Sequence, residues 1–249
     1  MAETLSRRER LRQATLIEIR SVARELLVAE GSSAVTINAV AREMGMSGPA
    51  VYRYYSSHED LVDSVTADFY QELSEAIEAE RNSHPENAHS HRLLGMCRAL
   101  RTWVIAHPAE FSWMFARPSP GLNSREPISP RLMAGINFEE IFLDEVVQLW
   151  EKQPYNVPAP EELPASVHDQ MVRYSSLIDE RLPPAAGHVF LCCWIRLYGL
   201  LCMEVLRQLD FAYTDVEPIF ELCLIDLSSL LGLEYEPPHS GPRSNNEEK

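Results

Sequence analysis

Hydrogen-bond donors are frequent in one stretch, "TINAVAREMGMSGPAVYRYYSSH", residues 36–58. It holds two guanidinium groups, three phenols, one imidazole and several hydroxyls. These groups donate hydrogen bonds or carry positive charge, so the chemistry that they share is the binding of anions such as phosphate. The sequence contains no G-x-S-x-G, P-loop, G-x-G-x-x-G or H-E-x-x-H motif, and we assign no catalytic residue.

Two short helices must position these side chains. Thr36 caps a helix predicted over "INAVAREM", and Ser47 caps a second over "GPAVYRYY", with Pro49 in its first turn. Gly45 tolerates the positive φ of the turn between them, and a small residue, Ala41, stands where the helices meet. The pattern predicts a helix-turn-helix, which places its second helix in the DNA major groove. The alternative is an ordinary helical hairpin in a core.

The segment "AVTINAVAREMGMSGPAVYRYYSSHEDLV", after a helix ending "ARELLVAEG", resembles the DNA-binding domain of the TetR (tetracycline repressor-like) regulators over residues 12–72. The resemblance implies that Tyr55 lies in the domain core. It further implies a DNA-binding surface with phosphate ligands at Thr36, Tyr52, Tyr54 and His58, with Ser47, Gly48, Pro49, Ala50 and Arg53 at or near base edges, and with Arg42 exposed beside them. No metal or cofactor is implied.

Two positions depart from the family's usual pattern. Tyr54 stands where the family has His, and His58 stands where it has Lys. Tyr54 still donates a hydrogen bond, but a histidine carries its full charge only at acidic pH. We therefore predict that DNA affinity weakens between about pH 6 and 8 more than a lysine would allow.

The charge is distributed unevenly along the 249 residues. The chain has a formal net charge of −15, yet residues 1–58 hold eight arginines against six glutamates. Four of these arginines crowd into "SRRERLR", residues 6–12, and this segment forms a basic arm. The five cysteines form no C-x-x-C pair, which favours reduced thiols in a core.

Helical periodicity continues to the end of the chain, and we predict an all-α fold. Helices are expected over 10–30, 37–44, 48–55, 58–81, 92–107, 109–115, 137–152, 165–180, 184–209 and 215–232, and a proline-rich loop over 117–131. The predicted organisation is a basic arm (1–11), a three-helix DNA-binding domain (12–72), a helical ligand-binding and dimerisation domain (73–236) and a disordered tail (237–249).

The helix predicted over 184–209 is apolar nearly all round and must bury two faces. One face can pack on the core of its own chain and the other on a second copy, which predicts a homodimer with the last helix completing a four-helix interface. A purely internal core is the alternative. The predicted dimerisation residues are Phe190, Trp194, Leu197, Leu201, Val205, Ile219, Leu222 and Leu227.

Aromatic and flexible side chains elsewhere in this region predict an apolar cavity for an unknown small-molecule ligand, with a plain core as the alternative. The candidate ligand-binding residues are Trp103, Phe111, Trp113, Met114, Phe138, Phe142, Trp150 and Met171. The segments "HPAEFSWMFARPSPG" and "CCWIRLYGLLCMEVL" also resemble a TetR subgroup with a Trp-His-Gly signature, in which Trp194, Tyr198 and Gly199 occupy the signature region and Tyr198 replaces the His.

Together these features predict a cytoplasmic, ligand-responsive repressor that binds a palindromic double-stranded DNA operator. A helical partner-binding protein with a degenerate DNA-binding head is one rival, and an all-α enzyme is another. His84, His89 and His91 are interpreted as surface histidines of a linker rather than metal ligands. The apolar stretch 189–206 is broken by Arg196 and Glu204, so we expect a buried helix and no membrane span.

Overall fold

The computed structural model describes residues 6–115, 129–178 and 180–238. Within those ranges it contains ten α-helices, two short 3-10 helices at Ser32–Ala34 and Pro160–Glu162, and no strand, which confirms the predicted all-α fold. The α-helices are α1 (Arg7–Glu30), α2 (Ile37–Glu43), α3 (Gly48–Val51), α4 (His58–Asn82), α5 (His89–Ala106), α6 (Pro108–Phe115), α7 (Pro130–Lys152), α8 (Ala165–Leu177), α9 (Pro184–Val205) and α10 (Glu217–Leu230).

The chain forms two compact units. The first, which we call the head unit, comprises Met1–Glu78 and Leu100–Ile141, and the second, the body unit, comprises Ala79–Ala99 and Phe142–Lys249. The head unit therefore includes α1 to α3 and most of α4. It also includes the last part of α5, all of α6 and the first half of α7. The domain boundary predicted between residues 72 and 73 lies inside the continuous helix α4 and stays a prediction.

The sequence signals at the two ends of α1 explain its bounds. Ser6 caps the helix by accepting a hydrogen bond from the backbone N–H of Glu9 at 3.2 Å, so the described part of the basic arm is the first turn of α1. Gly31 ends the helix at φ +86°, where an L side chain is strained. The face of α1 with Ile19, Ala23 and Leu27 is buried, as its periodicity predicted.

Three predicted bounds were wrong by four residues or more. The second helix of the helix-turn-helix ends at Val51 rather than Tyr55, because the N–H groups of Arg53 and Tyr54 bond carbonyls only three residues back, in turns that are tighter than an α-helix. Helix α7 begins at Pro130 rather than Asn137, since proline is well suited to the first helical position and the Ser129 hydroxyl accepts from the N–H of Leu132 at 3.3 Å. Helix α9 ends at Val205 rather than 209.

Packing in the body unit centres on α9, which contacts both α8 and α10. Val189, Cys193 and Leu197 of α9 are buried, as are Phe220 and Leu224 of α10. By length and composition α9 could cross a membrane, with a mean hydropathy of 1.5 over its most apolar window, but the core helix of a soluble protein meets the same criteria. Most of the loop predicted over 117–131, and all but two residues of the predicted tail, lie outside the described residues.

Candidate nucleic-acid interface

The turn between α2 and α3 has the hydrogen bonds of a helix C-terminal cap. Gly45 adopts φ +64°. The N–H of Met46 donates to the carbonyl of Ala41 at 2.8 Å, and the N–H of Gly45 donates to the carbonyl of Arg42 at 3.1 Å. Ala41 and Val51 are buried beside the turn. Ala41 and Gly45, which predicted a helix-turn-helix, thus perform the roles expected of them, and the motif is confirmed.

Both N-caps lie at the exposed surface, but they differ in their hydrogen bonds. The Thr36 hydroxyl accepts from the N–H of Ala39 at 3.1 Å and so closes the first turn of α2. The side chain of Ser47 makes no such bond at the start of α3, so its hydroxyl is available for another partner. A β-carbon added at Gly48 would lie 2.9 Å from Asn38 Oδ1, so this residue permits the close approach of α3 to α2.

The other predicted base-edge and phosphate positions are exposed or half-buried. Pro49, Tyr52 and Arg53 are exposed, whereas Gly48, Ala50 and Tyr54 are half-buried. Arg42 is exposed too, with its Nε 3.2 Å from the carboxylate of its neighbour Glu43. Its charge is therefore partly offset by the adjacent acid.

The basic arm lies against the end of the recognition segment, which we define as residues 47–54. Arg12 donates from Nη1 to the carbonyl oxygen of Arg53 at 3.4 Å, and its guanidinium carbon lies 5.5 Å from the centre of the Tyr54 ring. These groups border an open surface groove, which we call the arginine groove; its lining is Arg7, Arg8, Leu11, Arg12, Thr15, Arg53 and Tyr54. Four guanidinium groups thus surround a single groove, an arrangement that suits a polyanion.

His58 makes a contact that the sequence did not indicate. Its Nε2 lies 2.7 Å from the carbonyl oxygen of Val35, so in this geometry Nε2 carries the hydrogen and donates it. The bond ties the first residue of α4 to the residue before Thr36. Nδ1 is then the ring nitrogen left for a phosphate, and it can donate only when the ring is protonated.

Two arginines of α1 fix this helix to other elements of the head unit. Arg20 bonds Asp68 of α4 at 2.5 Å and the Tyr55 hydroxyl at 3.4 Å. Arg24 bonds Glu72 of α4 at 2.6 Å and Glu110 of α6 at 2.8 Å. Tyr55 is buried, as the family resemblance implied, and burial raises the pKa of its hydroxyl.

Glu72 is the most connected carboxylate of this network. It also accepts from Trp103 Nε1 at 3.1 Å, and His107 Nε2 lies 3.4 Å away. Burial alone would raise the pKa of Glu72, but its hydrogen bond to Arg24 and the charge of Arg24 outweigh that effect and lower the pKa. The sequence carried a signal for this network that we missed, because Arg20 and Arg24 are four residues apart on one helix and so are Asp68 and Glu72 on another.

The structure divides the predicted ligand-binding residues between the two units. Trp103, Phe111, Trp113, Met114 and Phe138 belong to the head unit and are buried there; Phe142, Trp150 and Met171 belong to the body unit. Trp113 donates to the hydroxyl of Thr66 at 2.9 Å, and Trp150 packs edge-on against Tyr155. Phe142 lines an apolar cavity of about 40 Å³ in the body unit, together with Leu93, Leu94, Cys97, Val146, Phe190, Cys193, Trp194, Leu197, Leu224, Leu227, Ser228, Leu231 and Leu233.

The predicted dimerisation residues also fall into two groups. Phe190, Leu197, Leu201 and Leu227 are buried within a single chain, whereas Trp194, Val205 and Ile219 are half-buried and Leu222 is 57% exposed. The neighbouring apolar side chains that the chain leaves exposed on α9 and α10 are Ile195, Met203 and Ile225. Four of the eight predicted residues thus remain at least partly exposed, and the predicted interface stays a prediction. The periodicity showed two stripes on α9 but could not tell which of them the chain buries itself.

A buried ionic cluster in the body unit was not anticipated. Glu145 is fully buried, and its two oxygens bond His89 Nδ1 at 2.7 Å and Arg92 Nε at 2.8 Å. The interpretation of His89 as a surface histidine was wrong, because the linker around it is short and His89 is already the first residue of α5. Among the described residues no group of three or more metal-ligating side chains lies close enough to hold a metal ion.

Two of the five cysteines are core residues, and the other three are half-buried. Cys97 and Cys193 are buried, and burial raises the pKa of each thiol to about 12. Both are therefore protonated near neutral pH and poor nucleophiles.

Comparison with known sequences places the chain in a family. The profile of the tetR family of bacterial regulatory proteins matches residues 19–65, which include α2 and α3. The profile described as "Tetracyclin repressor-like, C-terminal domain" matches residues 93–227, more than half of the chain. The protein belongs to the TetR family, whose members are transcriptional regulators with a helix-turn-helix DNA-binding domain rather than enzymes.

Individual relatives agree with this assignment. The HTH-type transcriptional regulator Rv1816 of Mycobacterium tuberculosis H37Rv is 28% identical over 120 residues, which are 48% of this chain and 51% of the relative. The match thus spans about half the length of the curated relative. A crystal structure of SCO4313, named as a regulatory protein, is 28% identical with a TM-score of 0.64, covering 89% of this chain and 98% of its own.

A second solved structure shows the fold alone. It is a protein of unknown function from Rhodococcus sp. RHA1, 16% identical, with a TM-score of 0.62 over 88% of this chain and 94% of its own.

Proposed function

We propose that this protein is a cytoplasmic repressor that binds a palindromic DNA operator as a homodimer and is released by a small apolar ligand. The observation that carries the DNA-binding part is the arginine groove beside the exposed recognition segment. Exposed guanidinium groups neutralise phosphates, and the exposed residues Ser47 and Arg53 flank the helix that enters the major groove in this motif.

The experiment is selection from random double-stranded DNA followed by titration of the enriched sequence at two salt concentrations. We expect a palindrome whose half-sites lie about 34 Å or a multiple of this apart, with affinity falling steeply as salt rises. Arg53→Ala should abolish sequence discrimination, whereas Arg173→Ala, at an exposed position of α8, should leave it intact. A protein with a degenerate head would enrich no sequence, and Arg53→Ala would change nothing.

The homodimer is supported by the exposed apolar stripe on the last two helices. Ile195, Gly199 and Met203 recur every four residues along α9, and Leu222 and Ile225 are three apart on α10. Large apolar side chains exposed in a row of this kind are typical of an interface. Two copies of the stripe would form an isologous contact, which gives the two-fold symmetry that a palindrome requires.

A matched pair of substitutions tests this surface. Leu222 of α10 and Leu177 of α8 are both 57% exposed, so a change to glutamate costs either site little within one chain. We expect Leu222→Glu to be monomeric by light scattering and Leu177→Glu to remain a dimer. A dimeric Leu222→Glu protein would exclude this stripe as the interface.

The ligand proposal rests on the cavity of the body unit. Its lining is almost entirely hydrocarbon and thiol, so an uncharged apolar molecule fits its chemistry. Because its volume is only about 40 Å³, an aromatic ring enters only if the surrounding helices move apart. Such movement is how a ligand lowers operator affinity, provided that it binds the displaced state better.

Benzene is a suitable probe. We expect it to raise the thermal midpoint of the wild type and to weaken operator binding, and we expect neither effect in Val146→Phe, in which the larger ring fills the cavity. Equal responses of the two proteins would show that the probe binds elsewhere.

A further inference from the structure

Helix α1 carries three arginines on one face, and each contacts a different part of the head unit. Arg12, Arg20 and Arg24 are spaced by eight and four residues, which brings them to the same side of the helix. Arg24 bonds α4 and α6, and Arg20 bonds α4 and Tyr55. Arg12 reaches the end of the recognition segment.

That end is weakly held by its own backbone. Helix α3 has only four residues. Beyond it, the N–H of Arg53 bonds the Ala50 carbonyl at 3.3 Å, and the N–H groups of Tyr54 and Tyr55 bond the Val51 carbonyl at 2.9 and 3.2 Å, but among the described residues no backbone N–H donates to the carbonyl of Arg53. The last carbonyls of a helix have no partner within it and need a donor from elsewhere. For the carbonyl of Arg53, that donor is Arg12.

We propose that Arg12 is a positioning residue for sequence recognition, which holds the backbone of Arg53 and the ring of Tyr54 so that both side chains meet DNA in a fixed geometry. The inference rests on the proposed DNA-binding function. It adds a role for Arg12 that depends on the shape of the guanidinium group and not on its charge alone. A planar guanidinium can donate to the carbonyl at its edge while its carbon lies over the phenol ring. An ammonium group has the same charge but cannot maintain both contacts in this geometry.

The alternative role for Arg12 is that of one more phosphate ligand in the arginine groove. The two roles differ in what they do to specificity. A phosphate ligand changes affinity equally for all sequences and changes the dependence on salt, whereas a positioning residue changes the ratio of affinities between correct and incorrect operators.

The test compares three variants on the selected palindrome and on operators with single base-pair changes. Arg12→Lys keeps the charge, and we expect it to retain the salt dependence of the wild type while its discrimination falls by about tenfold, equivalent to one bidentate base contact. Arg12→Gln should show the same loss of discrimination and, in addition, a weaker dependence of affinity on salt. The control is Arg8→Gln, from the same groove, which should lower the slope of log affinity against log salt by about one per protomer, or about two for the homodimer, and leave discrimination unchanged.

Full discrimination in Arg12→Lys would overturn the proposal and leave Arg12 a phosphate ligand. A second measurement requires no DNA: amide hydrogen exchange at Arg53 and Tyr54 in the free protein. We expect faster exchange there in Arg12→Lys than in Arg8→Lys, and equal rates would also overturn the proposal. If the wild type enriched no DNA sequence, the proposed function would fail, while the exchange experiment would still decide whether Arg12 holds this backbone.

Discussion

Two regions of the molecule use charge and apolar surface in opposite ways: α1 with the recognition segment in the head unit, and the helices of the body unit. Along α1 and the recognition segment, Arg7, Arg8, Arg12 and Arg53 are exposed. In the body unit the cluster around Glu145 is buried, while apolar side chains of α9 and α10 such as Leu222 are exposed. Exposed charge suits a polyanion and exposed apolar surface suits another protein surface, so the two regions present different chemistry to a partner.

The comparison also extends to stability. Among the polar interactions of the head unit are a turn, caps and partly exposed ion pairs, each of which contributes modestly. The body contains a fully buried carboxylate whose two partners are both buried. Its energetic consequences are larger, because an unpaired charge there has no access to water.

The largest effect is therefore expected at Glu145. Glu145→Ala leaves Arg92 buried without its carboxylate and should lower the free energy of unfolding by about 3–5 kcal/mol in urea titrations. Glu151→Ala, at an exposed position of the same helix, should change it by less than about 0.5 kcal/mol. Equal effects of the two changes would mean that the cluster is not what stabilises this region.

A pair of glycines gives the next contrast. Gly45→Ala forces a β-carbon into φ +64° and should destabilise the protein by about 1–2 kcal/mol. Gly199 lies within α9, where an added β-carbon meets no atom within 4 Å, so Gly199→Ala should stabilise one chain by about 0.5–1 kcal/mol. Thermal unfolding measures both, and a stabilising Gly45→Ala would contradict the turn geometry.

The two N-caps separate stability from DNA binding. Thr36→Ala removes the hydrogen bond to Ala39 and should cost about 1 kcal/mol of stability, whereas Ser47→Ala removes no cap bond and should cost less than half as much. Both changes should weaken operator binding. Unaltered binding in Ser47→Ala would remove this residue from the proposed interface.

The smallest effect concerns pH. A protonated His58 can donate from Nδ1 to a phosphate while Nε2 holds Val35, so operator affinity should be higher at about pH 6 than at about pH 8. Lysine at this position stays charged across that range. Titrations of the wild type and His58→Lys at several pH values compare the two, and identical profiles would rule out His58 as the source of the dependence.

Local signals accounted for much of the fold and for the motif. The caps at Thr36 and Ser47, the turn at Gly45 and the helix end at Gly31 all depend on neighbouring residues, and each was predicted at its position. Prediction failed where one residue is compatible with both a loop and a helix start. Pro130 was assigned to a loop, since proline ends helices as readily as it begins them.

By itself, the sequence determined the helices, the helix-turn-helix and the concentration of positive charge near the N-terminus, because all three follow from residue type and short spacing. Only the tertiary structure decided which partner each charge has and which face each helix buries. Arg12 meets Arg53 across 41 residues, and Glu145 meets His89 across 56. The choice of buried stripe on α9 likewise depends on the helices that pack against it, and helical periodicity carries no information about those neighbours.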